Sequence, residues 1–200
     1  MQSALLRMFG QGCALLLLGQ FGAVAPAIAK RTQAQLAATF KDRTSLTIRE
    51  SGAVPSCIVT FTDIIDERKS PEIVGVVGQR GVLAPKDVGA WLQAVLGGLA
   101  ARGIRPVFTQ EDAGAGAPVA RFTLQTAWIA STEVTYSANV VVQLKARSAA
   151  GRSIDQTYRG RVSRTAYWSG GIDTLQSAMD GAFANALDVM ASDLSSLCGP

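Results

Sequence analysis

VARFTLQTAWIAS at 119–131, VTYSANVVVQLKAR at 134–147 and SIDQTYRGRVSRTA at 153–166 stand almost end to end in the chain. Each is rich in β-branched and aromatic residues and alternates in character, the pattern of a strand with one buried face. Phe122, Leu124, Thr126 and Trp128 are predicted to share one face of the first run, and Val140, Val142 and Leu144 one face of the second. The joining segments, including Ala149-Ala150-Gly151-Arg152, are too short for crossovers, so the three runs read as an antiparallel meander.

The meander needs an apolar cover, and the chain supplies one directly after it. Ile172, Leu175, Met179, Ala182, Phe183, Ala186, Leu187, Met190, Leu194 and Leu197 recur every three or four residues, which predicts a long amphipathic helix. Ala178, Gly181, Ala182 and Ala186 are small enough to let that helix come close to a sheet. A second helix is predicted from Pro85 to Gly103. Asp87 stands in its first turn, the stripe is Val88, Trp91, Leu92, Val95, Leu96 and Leu99, and Gly103 caps its end. Shorter strands are predicted at 45–50, 56–62, 73–77 and 104–109, with a short helix around Thr32–Phe40 and a charged connection over 63–72. The fold class that follows is α+β: a two-layer sandwich of a mostly antiparallel sheet packed by two long amphipathic helices.

The N-terminal segment carries an address. Arg7 precedes a short apolar run at Cys13–Leu18, and Ala27-Ile28-Ala29 has the form of a cleavage site, with Lys30 opening the mature chain. Gly19, Gln20 and Pro26 interrupt the run, so 1–29 is read as a cleaved export signal and 30–200 as one domain in the periplasm. A retained membrane anchor is the alternative reading. Cleavage would leave Cys57 and Cys198, which an oxidising compartment would join. In the chain-entropy account, closing a loop of about 140 residues stabilises the fold by roughly 4–5 kcal/mol. Two buried thiols would be the other outcome.

Composition narrows the chemistry. The chain holds no histidine, which removes His-based triads, histidine general bases and histidine metal sites. Its net charge of +4 is mild, well short of the dense basic clustering of nucleic-acid binders, so no nucleic-acid partner is expected. Asp63, Asp66 and Glu67 form a carboxylate cluster, but Arg68 and Lys69 follow at once and no calcium-loop spacing is present. They read either as an acid–base group or as a solvated loop with local ion pairs. Gln110–Pro118 lacks the lysine of a phosphate loop. No cofactor and no metal is called for.

Two places suit binding. Arg159 and Arg161 share a strand face near Arg164, with Lys145 and Arg147 on the neighbouring strand, which makes either a basic patch or a solvent face that discourages edge pairing. Tyr167 and Trp168, followed by Ser169-Gly170-Gly171, form either a binding lip or a plug between sheet and helix.

The order of Asp63, Arg68, Ile73-Val74-Gly75, Leu83-Ala84-Pro85, a helix ending in Arg102-Gly103 and then a strand resembles the YajG-type envelope lipoproteins. It is similar also to the wider group of periplasmic auxiliary lipoproteins of transport and outer-membrane assembly. The resemblance covers roughly 54–195 and implies an α+β fold facing the periplasm, with no catalytic residues to carry over. One departure is that Cys13 precedes the apolar run instead of following it, so it does not serve as a lipid-attachment site. The expectation is a non-enzymatic exported protein, an accessory or scaffold component of an envelope transport or assembly system, with an envelope protein as partner. The alternative is a module binding lipid or glycan in the groove between helix and sheet. Peripheral membrane association and oligomeric state stay open.

Overall fold

The computed structural model describes residues 38–39, 57–78, 80–108, 116–131, 134–165 and 171–199. In chain order the elements are β1 (Ala38–Thr39), β2 (Cys57–Asp66), β3 (Ile73–Val77), β4 (Arg80–Leu83), α1 (Val88–Gly97), a 3-10 turn (Ala100–Arg102), β5 (Ile104–Val107), β6 (Val119–Ser131), β7 (Thr135–Arg147), β8 (Ser153–Thr165) and α2 (Ile172–Cys198). The export signal predicted at 1–29 and the strand predicted at 45–50 lie outside the described residues.

The meander forms as its alternation demands. β7 runs antiparallel along β6 from Val119↔Arg147 to Ser131↔Tyr136, and β8 runs antiparallel along β7. The other edge of β6 is shared by two parallel strands. β2 meets its first half, through Thr60↔Val119 to Asp66↔Leu124, and β3 meets its far end at Gly75↔Ile129. β5 lies parallel outside β2, β4 antiparallel to β3, and β1 parallel to β4. The sheet is therefore mixed, not mostly antiparallel. The connection from β2 to β5 contains the β3–β4 hairpin and α1, long enough to return the chain in the same direction. Alternation within 57–66 and 104–107 carries no information about strand direction.

The pair of long helices is also corrected. α2 has 27 residues, but α1 has 10 and ends at Gly97. Asp87 caps α1 by accepting from the Ala90 N–H at 2.8 Å, which leaves Pro85 outside the helix. At its other end Gly97 and Gly98 weaken the helix, glycine costing about 1 kcal/mol there relative to alanine. The backbone tightens to i−3 bonds, Gly98 to Val95 and Leu99 to Leu96, and stops at Gly103, whose φ of 79° suits glycine. Leu99 keeps its core position through this turn. The helix predicted around Thr32–Phe40 is overturned at Ala38–Thr39, which pair with β4 as a strand. The connection predicted from Asp63 is strand as far as Asp66.

Both helices bury their stripes in one continuous core with the sheet. Trp91 of α1 meets Phe183 of α2 edge to face, with ring centroids 5.3 Å apart. α2 approaches β8 so closely that a Cβ on Gly160 would stand 1.7 Å from the Ala182 carbonyl oxygen. Polar ties fix α2 along its length. Arg102 donates to the carbonyls of Gly98 at 2.7 Å and Ala184 at 3.0 Å, and pairs with Asp188. The Tyr158 hydroxyl donates to Asp193 at 2.7 Å. Arg152 donates to the Leu197 and Gly199 carbonyls at the helix end. There Cys198 is bonded to Cys57 of β2, with Cα atoms 5.6 Å apart.

Candidate functional site

With the helices on one face of the meander, the other face of β6, β7 and β8 is open. Arg159 and Arg161 stand on that face, exposed on β8. In register they oppose Val141 and Asn139 of β7, which oppose Thr126 and Trp128 of β6. The structure thus brings both predicted arginines onto one surface with Trp128. Tyr167 and Trp168 lie outside the described residues.

Trp128 reaches the open face because of a bulge. The β6–β7 register shifts between Leu124 and Thr126. An extra residue there reverses the alternation that follows. Phe122 and Leu124 are buried before the shift, Ala127 and Ile129 after it, and Trp128 is 37% exposed. The expected common face of Phe122, Leu124, Thr126 and Trp128 is therefore broken at Gln125. The interval of three from Leu124 to Ala127 was the available sign, since an uninterrupted strand keeps even intervals.

Beside Trp128 lies a cleft of about 230 Å³. Gln125, Thr126 and Ala127 of β6 line it together with Lys69 and Ser70 of the β2–β3 connection and Ile73 at the start of β3. Arg68 also lines it. Its side chain is 4% exposed and clasps Asp66 through two bonds of 2.8 Å. It also donates to the carbonyls of Pro71 at 2.8 Å and Ile73 at 3.1 Å, and its guanidinium carbon lies 5.7 Å from the Trp91 ring centroid. A charge so buried persists because its donors are used and its counter-charge is at hand. From sequence Arg68 reads as a loop cation. Its burial follows from the β2 strand extending to Asp66.

The three carboxylates do not assemble. Asp63 pairs with Arg121 at 2.9 Å, Asp66 is taken by Arg68, and Glu67 is exposed. No group of three metal-ligating side chains occurs among the described residues. The titrations that do shift belong to the helix side. Burial, reinforced by Asp193, holds the Tyr158 hydroxyl far above the ordinary phenol range. Burial also raises the Asp180 carboxyl, against the opposing effect of the Gln176 amide at 2.9 Å.

Charge on the open face is divided. At one end, Asp63, Arg121, Lys145 and Asp155 stand in register across four strands, with Arg121–Asp63 at 2.9 Å and Lys145–Asp155 at 3.4 Å. At the Trp128 end, Arg159, Arg161 and Lys69 have no acidic partner among the described residues.

No family model matches the chain, and no curated protein matches it. Among solved structures, an uncharacterized protein aligns at TM-score 0.50 and 10% identity over 70% of this chain and 94% of that one. The rare lipoprotein B of Shewanella oneidensis aligns at TM-score 0.38 and 11% identity, over 70% and 98% of the two chains. A minor lipoprotein of Acinetobacter baumannii aligns at TM-score 0.38 and 10% identity, over 72% and 93%. At 10% identity the likeness to the first of these extends to the fold alone.

Proposed function

We propose that this chain is a non-enzymatic exported periplasmic protein of the YajG-type auxiliary group. In this reading it serves as an accessory or scaffold component of an envelope transport or assembly system and docks an envelope protein through the open face of its meander. One observation carries the reading: Trp128 is exposed on a long-stranded sheet, and Arg159 and Arg161, two strands away on the same face, have no acidic partner among the described residues. Tryptophan and arginine on a preformed surface are the residue types that dominate protein interfaces. The ligand-module alternative placed its site between helix and sheet. That space is filled where α2 rests on β8, since Gly160 lies against the Ala182 carbonyl.

The test is site-directed photocrosslinking in intact cells, with the reactive residue placed at Trp128 on the open face or at Val189 on the outer side of α2. One reproducible protein adduct from position 128 is the expected result. Correctly exported protein that yields no protein adduct from either position would overturn the accessory role.

A further inference from the structure

We infer that the partner presents an acidic segment, one apolar side chain of which enters the cleft beside Trp128 while its carboxylates meet Arg159 and Arg161. This rests on the protein-docking reading above and adds the chemistry of what is docked.

The cleft sets the first requirement. Its volume of about 230 Å³ is below the roughly 300–1,000 Å³ of small-molecule sites. It suits a single side chain. Trp128 and Ile73 are among its lining, and so is Arg68, whose charge is already matched by Asp66. An apolar group entering there displaces water from beside an aromatic side chain, and the Arg68 charge that lines the cleft already has its partner, the setting of an interface hot spot.

Charge sets the second requirement. At the other end of this face neighbouring strands supply two counter-charges, as Asp63 does for Arg121 and Asp155 for Lys145. Around Trp128 that compensation stops. In register Trp128 faces Asn139 and Asn139 faces Arg161, two strand steps away. That places the arginine about 10 Å from the tryptophan strand. Lys69 lines the cleft on its other side, but its connection also carries the exposed Glu67 and Glu72, so the uncompensated positive charge lies on the β8 side. Cations on that side of an apolar slot fit carboxylates that follow an apolar residue.

A bilayer fits less well. The same face carries Asp63 and Asp155, which would meet anionic headgroups, and its apolar feature is a recess instead of a projection. A few basic residues at about 1 kcal/mol each would be the whole attraction.

The probe is a short synthetic peptide of glutamate and serine with one central leucine. It is titrated into the exported protein while the tryptophan indole N–H resonances are followed, with Trp128→Phe assigning the peak of interest. The Trp128 resonance is expected to move and saturate. An Arg159→Glu, Arg161→Glu double variant should weaken binding about tenfold, with an unchanged circular dichroism spectrum. Alanine in place of the leucine should weaken binding too, and lysine in place of glutamate should abolish it. The inference falls if Trp128 does not respond to the peptide or if the lysine peptide binds as well. It falls equally if phosphatidylglycerol vesicles move the resonance and the peptide does not. A protein adduct in cells from Val189, with Trp128 silent toward the peptide, would refute this chemistry and leave the accessory role standing. Peptide binding with no protein adduct from either position would refute the accessory role alone.

Discussion

Gly160→Ala tests whether α2 is seated on β8 as described. The new Cβ would stand 1.7 Å from the Ala182 carbonyl oxygen, 2.8 Å from its carbon and 3.0 Å from the Ala186 nitrogen. These are backbone atoms of a helix, so no side chain can swing aside. Ordinary contact begins near 3.4 Å, so α2 would have to lift by about 1.7 Å. A gap of 0.5–1 Å already forfeits roughly a quarter to a half of a contact's dispersion energy. α2 buries thirteen residues, from Leu175 to Leu197, and is tied at both its middle and its end. The expected loss is about 3 kcal/mol or more, the upper part of the range for overpacked cores. In a chain of this size that corresponds to a fall in melting temperature of roughly 6–12 °C. Gly160 does not have a positive φ. Without the clash, alanine would stabilise by about 0.4–1 kcal/mol through the unfolded chain, so the sign of the effect isolates the contact. Urea unfolding followed by circular dichroism measures it, with Gly97→Ala as control. No atom lies within 4 Å of the added methyl there, and a gain of up to about 1 kcal/mol is expected. A Gly160→Ala midpoint within about 0.5 kcal/mol of the parent would refute the placement of α2.

Three further outcomes follow from the same geometry. Arg68→Ala would strand the Asp66 carboxylate and the Pro71 and Ile73 carbonyls and cost about 3 kcal/mol. Arg68→Lys, lacking the fork, should recover less than half of that loss in the same denaturant titration. Replacing both Cys57 and Cys198 by serine should lower stability by roughly 2–5 kcal/mol, and adding reductant to the variant should then change nothing. For Asp180, burial raises the folded carboxyl above its unfolded value. The native state then holds more protons, so stability falls as pH rises from the unfolded carboxylate range through the raised folded value. Asp180→Asn should remove that fall and offer a donor to the Gln176 Oε1 atom, which is buried without a partner among the described residues. We expect a gain of about 1 kcal/mol at pH 7 and a smaller one near pH 3. An equal gain at both would exclude a titrating Asp180.

The elements legible in the sequence were those whose periodicity is long. The meander strands and α2 fall where alternation and the three-to-four step place them, and the small residues of α2 meet β8 as their size suggests. Gly103 ends a helical run as expected, though of the 3-10 turn after α1, and Asp87 stands before α1 as its cap instead of in its first turn. What stayed hidden depends on partners distant in the chain. The parallel pairing of β2 with β5 and β6 leaves no mark on the side-chain pattern of 57–66. β4, with four residues, is too short to show a period. At the site, Arg159 and Arg161 were readable as one face, but the tryptophan beside them was assigned to the buried side because one bulge at Gln125 reverses the count. Arg68 looked like surface because nothing local reveals that Trp91 and two carbonyls close over it.

The bulge also explains why the binding surface sits where it does. Without it, the parity of Phe122 and Leu124 would carry Thr126 and Trp128 into the core beneath α2 and leave Ala127 and Ile129 facing solvent. With it, two small or branched residues pack under the helices, and the largest side chain of β6 is turned outward. A core position for that indole would have removed more apolar area from water than alanine does, so the register shift sacrifices burial on the order of 1–2 kcal/mol. The same face shows that its charges can be matched internally, since four strands at its other end do so in one row. An aromatic turned outward at a cost in burial, and cations unmatched in the same half of the sheet, are two independent departures from what folding alone would select. They coincide at Trp128, which is why that residue, and not the charged row beside it, is the place to look for a partner.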